Sequence, residues 1–220
     1  IVGSFRFLIE KGFHTIQHFY QQGHDSMIWF AFILLLYACV IWISAKLTLS
    51  ERDVKGSGIP QVEAELKGLM TLSWWSVLWK KYILGVLAIA SGLMLGREGP
   101  SIQLGAMGGK GIAKHLHLSP VEERSLIASG AAAGLAAAFN APIAGLLFHF
   151  SRFFWVSSLA ASLTANFVSL MIFGMTPVLN MPDNIPLMGL GQYWLYLLLG
   201  IFLGFSGFLY EKVVLAMPRI

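Results

Sequence analysis

Apolar residues dominate the chain in long blocks that polar residues cut short. From Ser26 to Leu49 they run almost unbroken, through Ile28, Trp29, Phe30 and the stretch Phe32 to Tyr37, closing around Lys46. About 20 uncharged residues cross the hydrocarbon of a bilayer as a helix, so this block is a predicted span. Ser158 to Phe173 and Tyr193 to Met217 repeat the pattern, and Ile1 to Tyr20 has the look of the lower part of an amphipathic or spanning helix. Trp74 to Leu95 is a further apolar run interrupted by Lys80 and Lys81, whose long stems are expected to snorkel to a membrane surface. Trp74, Trp75 and Trp79 suit an interfacial belt.

Other segments are too short to cross. A polar connector, Ser50 to Lys55, leads into Gly56-Ser57-Gly58-Ile59-Pro60 and a short helix, Gln61 to Lys67. Glu98 to His115 is a glycine-rich helix in which Gly105, Gly108, Gly109 and Gly111 let another helix approach closely. Ser119 is placed as an N-cap, with Pro120 at the first helical position and Glu122 and Glu123 in the first turn, opening the alanine-rich run Ser125 to Phe139. That run stops at Asn140-Ala141-Pro142. A short apolar helix from Ile143 to about Trp155 and a proline-bearing loop from Gly174 to Gly191 follow. The pattern predicts an all-α polytopic membrane protein with broken, tilted and partly spanning helices, residues 1–220 forming one transmembrane unit.

Composition narrows the function classes. With 56% hydrophobic and 12% charged residues and a mean hydropathy of +0.70, the chain is too apolar for an ordinary soluble domain. The net charge of +4 sits in short connectors, with no basic tract to bind nucleic acid. Cys39 stands alone in an apolar run, which excludes a disulfide framework, and His149 between Phe148 and Phe150 has no second ligand at metal spacing. No metal or cofactor is expected. Gly105 to Gly109 is not a nucleotide loop, since no strand precedes it. An intramembrane serine protease would need a glycine two residues before its serine, and Lys55 precedes Gly56-Ser57-Gly58, so an enzyme is not expected. Glu63 and Glu65 are expected near a polar connector, solvated or ion-paired. The chain starts at Ile1 without methionine and without a signal-peptide pattern, which leads to the expectation of a piece of a longer protein.

The chemistry concentrates at the breaks. Gly96-Arg97-Glu98-Gly99-Pro100 places a carboxylate and a guanidinium in apolar surroundings, where each charge costs at least ~2.5–3.5 kcal/mol on insertion scales. Ile59-Pro60, Gly99-Pro100 and Ala141-Pro142 share one grammar, a break followed by a proline that opens a helix. Unpaired amides at such helix starts, with the helix dipole, attract anions, and neighbouring glycines let the backbone reach a bare ion. Ser57 adds a hydroxyl donor. Several partial positive charges hold a dehydrated halide without trapping it as a full lysine contact would.

These segments resemble the signatures of the CLC chloride channels and chloride/proton antiporters: Gly56-Ser57-Gly58-Ile59-Pro60, Gly96-Arg97-Glu98-Gly99-Pro100, and Gly130-Ala131-Ala132-Ala133-Gly134 through Phe139-Asn140-Ala141-Pro142. The resemblance implies the first inverted repeat of that fold over residues 1–190 and the first helix of the second over 191–220. It implies chloride bound by Ser57 and by backbone at Gly58, Ile59, Pro60, Glu98 and Gly99, with Arg97 stabilising the site's electrostatics. Glu98 becomes the gate, its carboxylate filling an anion position when ionised and swinging away when protonated; a carboxylate taken out of water is easier to protonate. Serine at position 57 implies chloride, since relatives that prefer nitrate tend to carry proline there. The family lysine corresponding to Lys81 tunes the pathway electrostatically. The implied protein is a homodimer with one pore per subunit in a bacterial cell membrane, exchanging chloride for protons, with the lipid bilayer and no nucleic acid as partner. The antiporters' two inner carboxylates fall on Ser151 and Arg152, which makes uncoupled, channel-like conduction the alternative. The family's glycine-phenylalanine-proline loop and pathway tyrosine of the second repeat fall outside residues 1–220, so a non-conducting scaffold is a third expectation.

Overall fold

The computed structural model describes residues 1–23, 27–143, 155–174, 191 and 194–216. The chain divides into two compact units, residues 1–178 and 179–220. Among the described residues all regular structure is helical: α1 (Val2–Gly23), α2 (Met27–Ser50), a 3-10 turn (Arg52–Val54), α3 (Ile59–Leu66), α4 (Trp74–Ala90), α5 (Glu98–His115), α6 (Pro120–Phe139) and α7 (Trp155–Phe173) in the first unit, and α8 (Trp194–Ala216) in the second. This is the polytopic fold the apolar blocks predicted. Three helices, α2, α7 and Trp194–Val213 of α8, are long and apolar enough to cross a membrane. Their large side chains, such as Ile28, Leu35, Trp42, Phe167 and Phe202, point outward. Lipid accepts such a surface and water does not. The predicted helix from Ile143 to Trp155 and the loop to Gly191 lie mostly outside the described residues.

Local chemistry sets the helix ends. Ser119 caps α6 with a full capping box, its hydroxyl receiving the Glu122 amide while the Glu122 carboxylate receives the Ser119 amide at 2.9 Å. At the other end Asn140 adopts a left-handed conformation (φ 53°) and stops the helix before Pro142. The apolar run Trp74 to Leu95 is helical only as far as Ala90, where α4 stops. Gly92 turns the chain at φ 88°, and the Tyr37 hydroxyl donates to the Ser91 carbonyl at 2.5 Å, satisfying an acceptor the ended helix leaves open. A non-helical connector then delivers Glu98 to the start of α5.

The core lies between α3, α4, α5 and α6, where Val62, Val77, Ile102, Met107, Ile127 and Leu135 are buried together. A second cluster of Phe5, Ile9 and Leu104 joins α1 to it. The expected small-residue faces are real. A Cβ on Gly105 would overlap the Gly130 carbonyl oxygen, one on Gly130 the Gly105 carbonyl, and one on Gly134 the Ser101 carbonyl, so α5 and α6 touch backbone to backbone. Gly105→Ala is therefore expected to force the pair apart at a cost of about 1–3 kcal/mol, as overpacking does, read as a lower unfolding midpoint in detergent. An unchanged midpoint would mean that the helices tolerate separation.

Candidate functional site

Two of the three proline-led breaks meet. Gly56 (φ 74°) and Gly58 (φ 90°) take left-handed conformations that fold the chain sharply around Ser57 into the start of α3. Gly58 presses on Gln103 of α5, and a Cβ on Gly99 would lie 2.8 Å from the Ser57 Cβ. Each contact has a glycine on one side, and the missing Cβ lets the first turns of α3 and α5 come together. The Ile59 amide points to the Ser57 hydroxyl at 3.4 Å. In α5 the Glu98 and Gly99 amides belong to the first turn, where no carbonyl of the helix can reach them, and Pro100 has none to satisfy.

Around this junction lies a cavity of about 650 Å³ whose wall includes Ser57, Ile59, Lys81, Glu98 and Gly99. Of the expected anion-binding residues, Gly58 is buried behind the wall, Pro60 is exposed on the first turn of α3, and Arg97 faces elsewhere. The third break is not part of this wall. Asn140 accepts from the Arg6 guanidinium at 3.0 Å and from the Ser169 hydroxyl at 3.1 Å, which ties the end of α6 to α1 and α7.

Lys81 does not snorkel. It is 4% exposed, and its ammonium donates to the Val54 carbonyl at 2.9 Å and the Gly56 carbonyl at 2.7 Å, so a positive charge sits under the Ser57 turn and holds its backbone. Lys80 keeps to the periphery, 3.8 Å from the Glu51 carboxylate.

Glu98 stands at a boundary. It lines the Ser57 cavity and also a second cavity of about 370 Å³ with Glu10, His14 and Arg97. Its carboxylate folds back over Gly96, into the space a Cβ there would need. Among the described residues no ion pair holds it. Arg97 instead pairs with Glu10 at 3.3 Å, and Glu10 with Arg6 at 2.8 Å, a chain of charges running from α5 through α1 to Asn140. Sequence reasoning missed this chain; Arg6 and Glu10 at i,i+4 in an apolar helix were the available signal. Glu63 and Glu65, expected to be solvated or ion-paired, are both ion-paired, Glu63 with Lys67 at the surface and Glu65 with Lys110, but Glu65 is buried. Phe148, His149, Ser151 and Arg152 lie outside the described residues.

Comparison with known proteins places the chain. The profile of the family described as voltage gated chloride channel matches residues 34–220. A protein named H(+)/Cl(-) exchange transporter ClcA from Vibrio vulnificus is 33% identical over 97% of this chain and 50% of its own length. A protein of the same name from Cronobacter sakazakii is 35% identical over 94% of this chain and 46% of its own. Among solved structures, a slow cyanobacterial Cl−/H+ antiporter superposes with a TM-score of 0.82 at 28% identity, covering 96% of this chain and 52% of that one. The chain spans about half the length of the relatives it matches.

Removing the ammonium by Lys81→Met is expected to leave the Val54 and Gly56 carbonyls without a donor and to destabilise the protein by about 2–4 kcal/mol, measured by thermal unfolding in detergent. A variant as stable as the parent would show that water replaces the ammonium.

Proposed function

The chain belongs to the CLC family of voltage gated chloride channels, and from that membership we propose that the protein containing it moves chloride across a bacterial cell membrane in exchange for protons, with Glu98 as the gate. The observation that carries this reading is the placement of the Glu98 carboxylate. It has no ion-pair partner among the described residues and it borders two cavities, one of which holds the Ser57 hydroxyl and the adjoining helix starts.

The proposed mechanism follows from charge. Chloride rests against the Ser57 hydroxyl and the amide ends of α3 and α5, whose dipoles supply partial positive charge. The Lys81 ammonium raises the local potential while its hydrogen bonds stay on carbonyls, so it attracts the ion without binding it. An ionised Glu98 is itself an anion and competes for the same place. On protonation it loses that attraction and turns aside, opening the route between the cavities. Arg97 acts at a distance, its charge shared with Glu10. As in the family it resembles, the protein is proposed to work as a homodimer with one pore per subunit.

Uncoupled chloride conduction is the second reading, favoured by Ser151 and Arg152 where antiporters of the family carry carboxylates.

Glu98→Gln in the full-length protein is expected to abolish the pH dependence of chloride flux and the accompanying proton movement while leaving conduction, recorded as chloride and pH changes in proteoliposomes. Retained pH dependence would remove Glu98 as the gate. Ser57→Pro is expected to shift anion preference toward nitrate in the same assay, and an unaltered anion series would exclude Ser57 from the filter.

A further inference from the structure

The two ends of α3 face two different cavities. Its amino end opens on the Ser57 cavity; its carboxyl end carries Glu65 into the wall of another, of about 510 Å³, with Lys110 and Lys114 from α5 and Glu123 and Arg124 from α6. Glu65 is 6% exposed. Its Oε1 receives the Lys110 ammonium and, at 3.4 Å, the Leu72 amide; the ammonium also donates to the Leu72 carbonyl at 2.7 Å. Its Oε2 is buried and has no hydrogen-bond partner. A buried oxygen of this kind gains from any hydrogen brought to it.

The surroundings extend toward the anion site. Gly58 meets Gln103 at one end of the α3/α5 contact and Glu65 meets Lys110 at the other, seven residues on in each segment. Seven residues of helix rise about 10 Å, so the two run side by side in matched register. Along this strip Gln103 is fully buried, with its Nε2 donating to the Asp53 carbonyl at 2.9 Å and its Oε1 unpartnered. The Oε1 of Gln61, one turn before Glu65, is also unpartnered. Acceptors that lack donors are the partners ordered water requires.

We propose that Glu65 is a proton-binding site, loading protons from the Glu65 cavity for delivery along the α3/α5 strip toward Glu98. A hydronium ion in the cavity transfers a proton to Oε2, an O–H bond forming there as water is left behind, and the same proton then passes to a water molecule on the strip, which becomes hydronium as the carboxylate is restored. Lys110 is kept in place by the Leu72 carbonyl while the carboxyl is neutral. The other charges facing the cavity are Arg124 and the Lys114–Glu123 pair at 3.1 Å; on α3 itself Glu63 is engaged with Lys67 at 2.6 Å. The inference rests on the exchange reading above.

The test records chloride and proton movement together in liposomes holding the full-length protein. Glu65→Gln is expected to leave chloride flux within about twofold and to lower proton movement about a hundredfold, the scale of a lost proton-transfer group, and Glu65→His to restore part of it. Because Glu65→Gln leaves Lys110 without its anion, Glu65→Gln with Lys110→Met provides a charge-balanced version with the same expected outcome. An unchanged proton-to-chloride ratio in these variants, or a parallel loss of both fluxes that Glu65→His does not reverse, overturns the proposal and marks the pair as structural. Chloride movement without protons in the unsubstituted protein overturns it while sparing the chloride reading. No chloride movement at all overturns the proposed function itself.

Discussion

A helix that ends inside a membrane leaves amides and carbonyls that water cannot satisfy, and this protein resolves the problem at its centre with one ammonium. Lys81 reaches from α4 to two carbonyls of the turn that precedes Ser57. The carbonyls are satisfied, and the start of the following helix is held beside the cavity. The same contact puts positive charge beneath the Ser57 turn. Burying that charge is expensive, and its two short hydrogen bonds, together with the helix starts' need for a fixed backbone, keep it where it is.

Close backbone approach is the second requirement. Gly99 against Ser57 and Gly58 against Gln103 bring the starts of α3 and α5 together, while Gly105, Gly130 and Gly134 lock α5 to α6. Any Cβ at these places would overlap the facing segment and push the helices apart. Packing and electrostatics are thus one constraint: the glycines that let helices touch also set the distance between the dipole ends.

Charge is then distributed outward from that point. Glu98 borders two cavities and is left unpaired among the described residues because the neighbouring Arg97 is occupied by Glu10, and Glu10 in turn by Arg6. At the far end of α3, Glu65 and Lys110 form a buried pair in a separate cavity. Among the described residues an ion pair fixes Glu65 and none fixes Glu98.

Membership of the CLC fold and nearly every helix were legible in the chain, because period, glycine, proline and capping residues act over a few positions. Ser119 and Pro120 announced the start of α6, and Asn140 its end. The end of α4 was not legible: Leu93 to Leu95 are as apolar as the helix before them, and only Gly92 and the Tyr37 hydroxyl from a distant helix turn the chain there. Arg97 lay in the right motif yet faces the cavity of Glu10. By itself the sequence determined where helices break and which charges lie in apolar company, since both follow from local pattern and the cost of burying charge. Only the tertiary structure decided that Lys81 turns inward, that Arg97 is taken by Glu10 and that Glu65 is enclosed, because a long side chain's partner comes from segments far away in the chain.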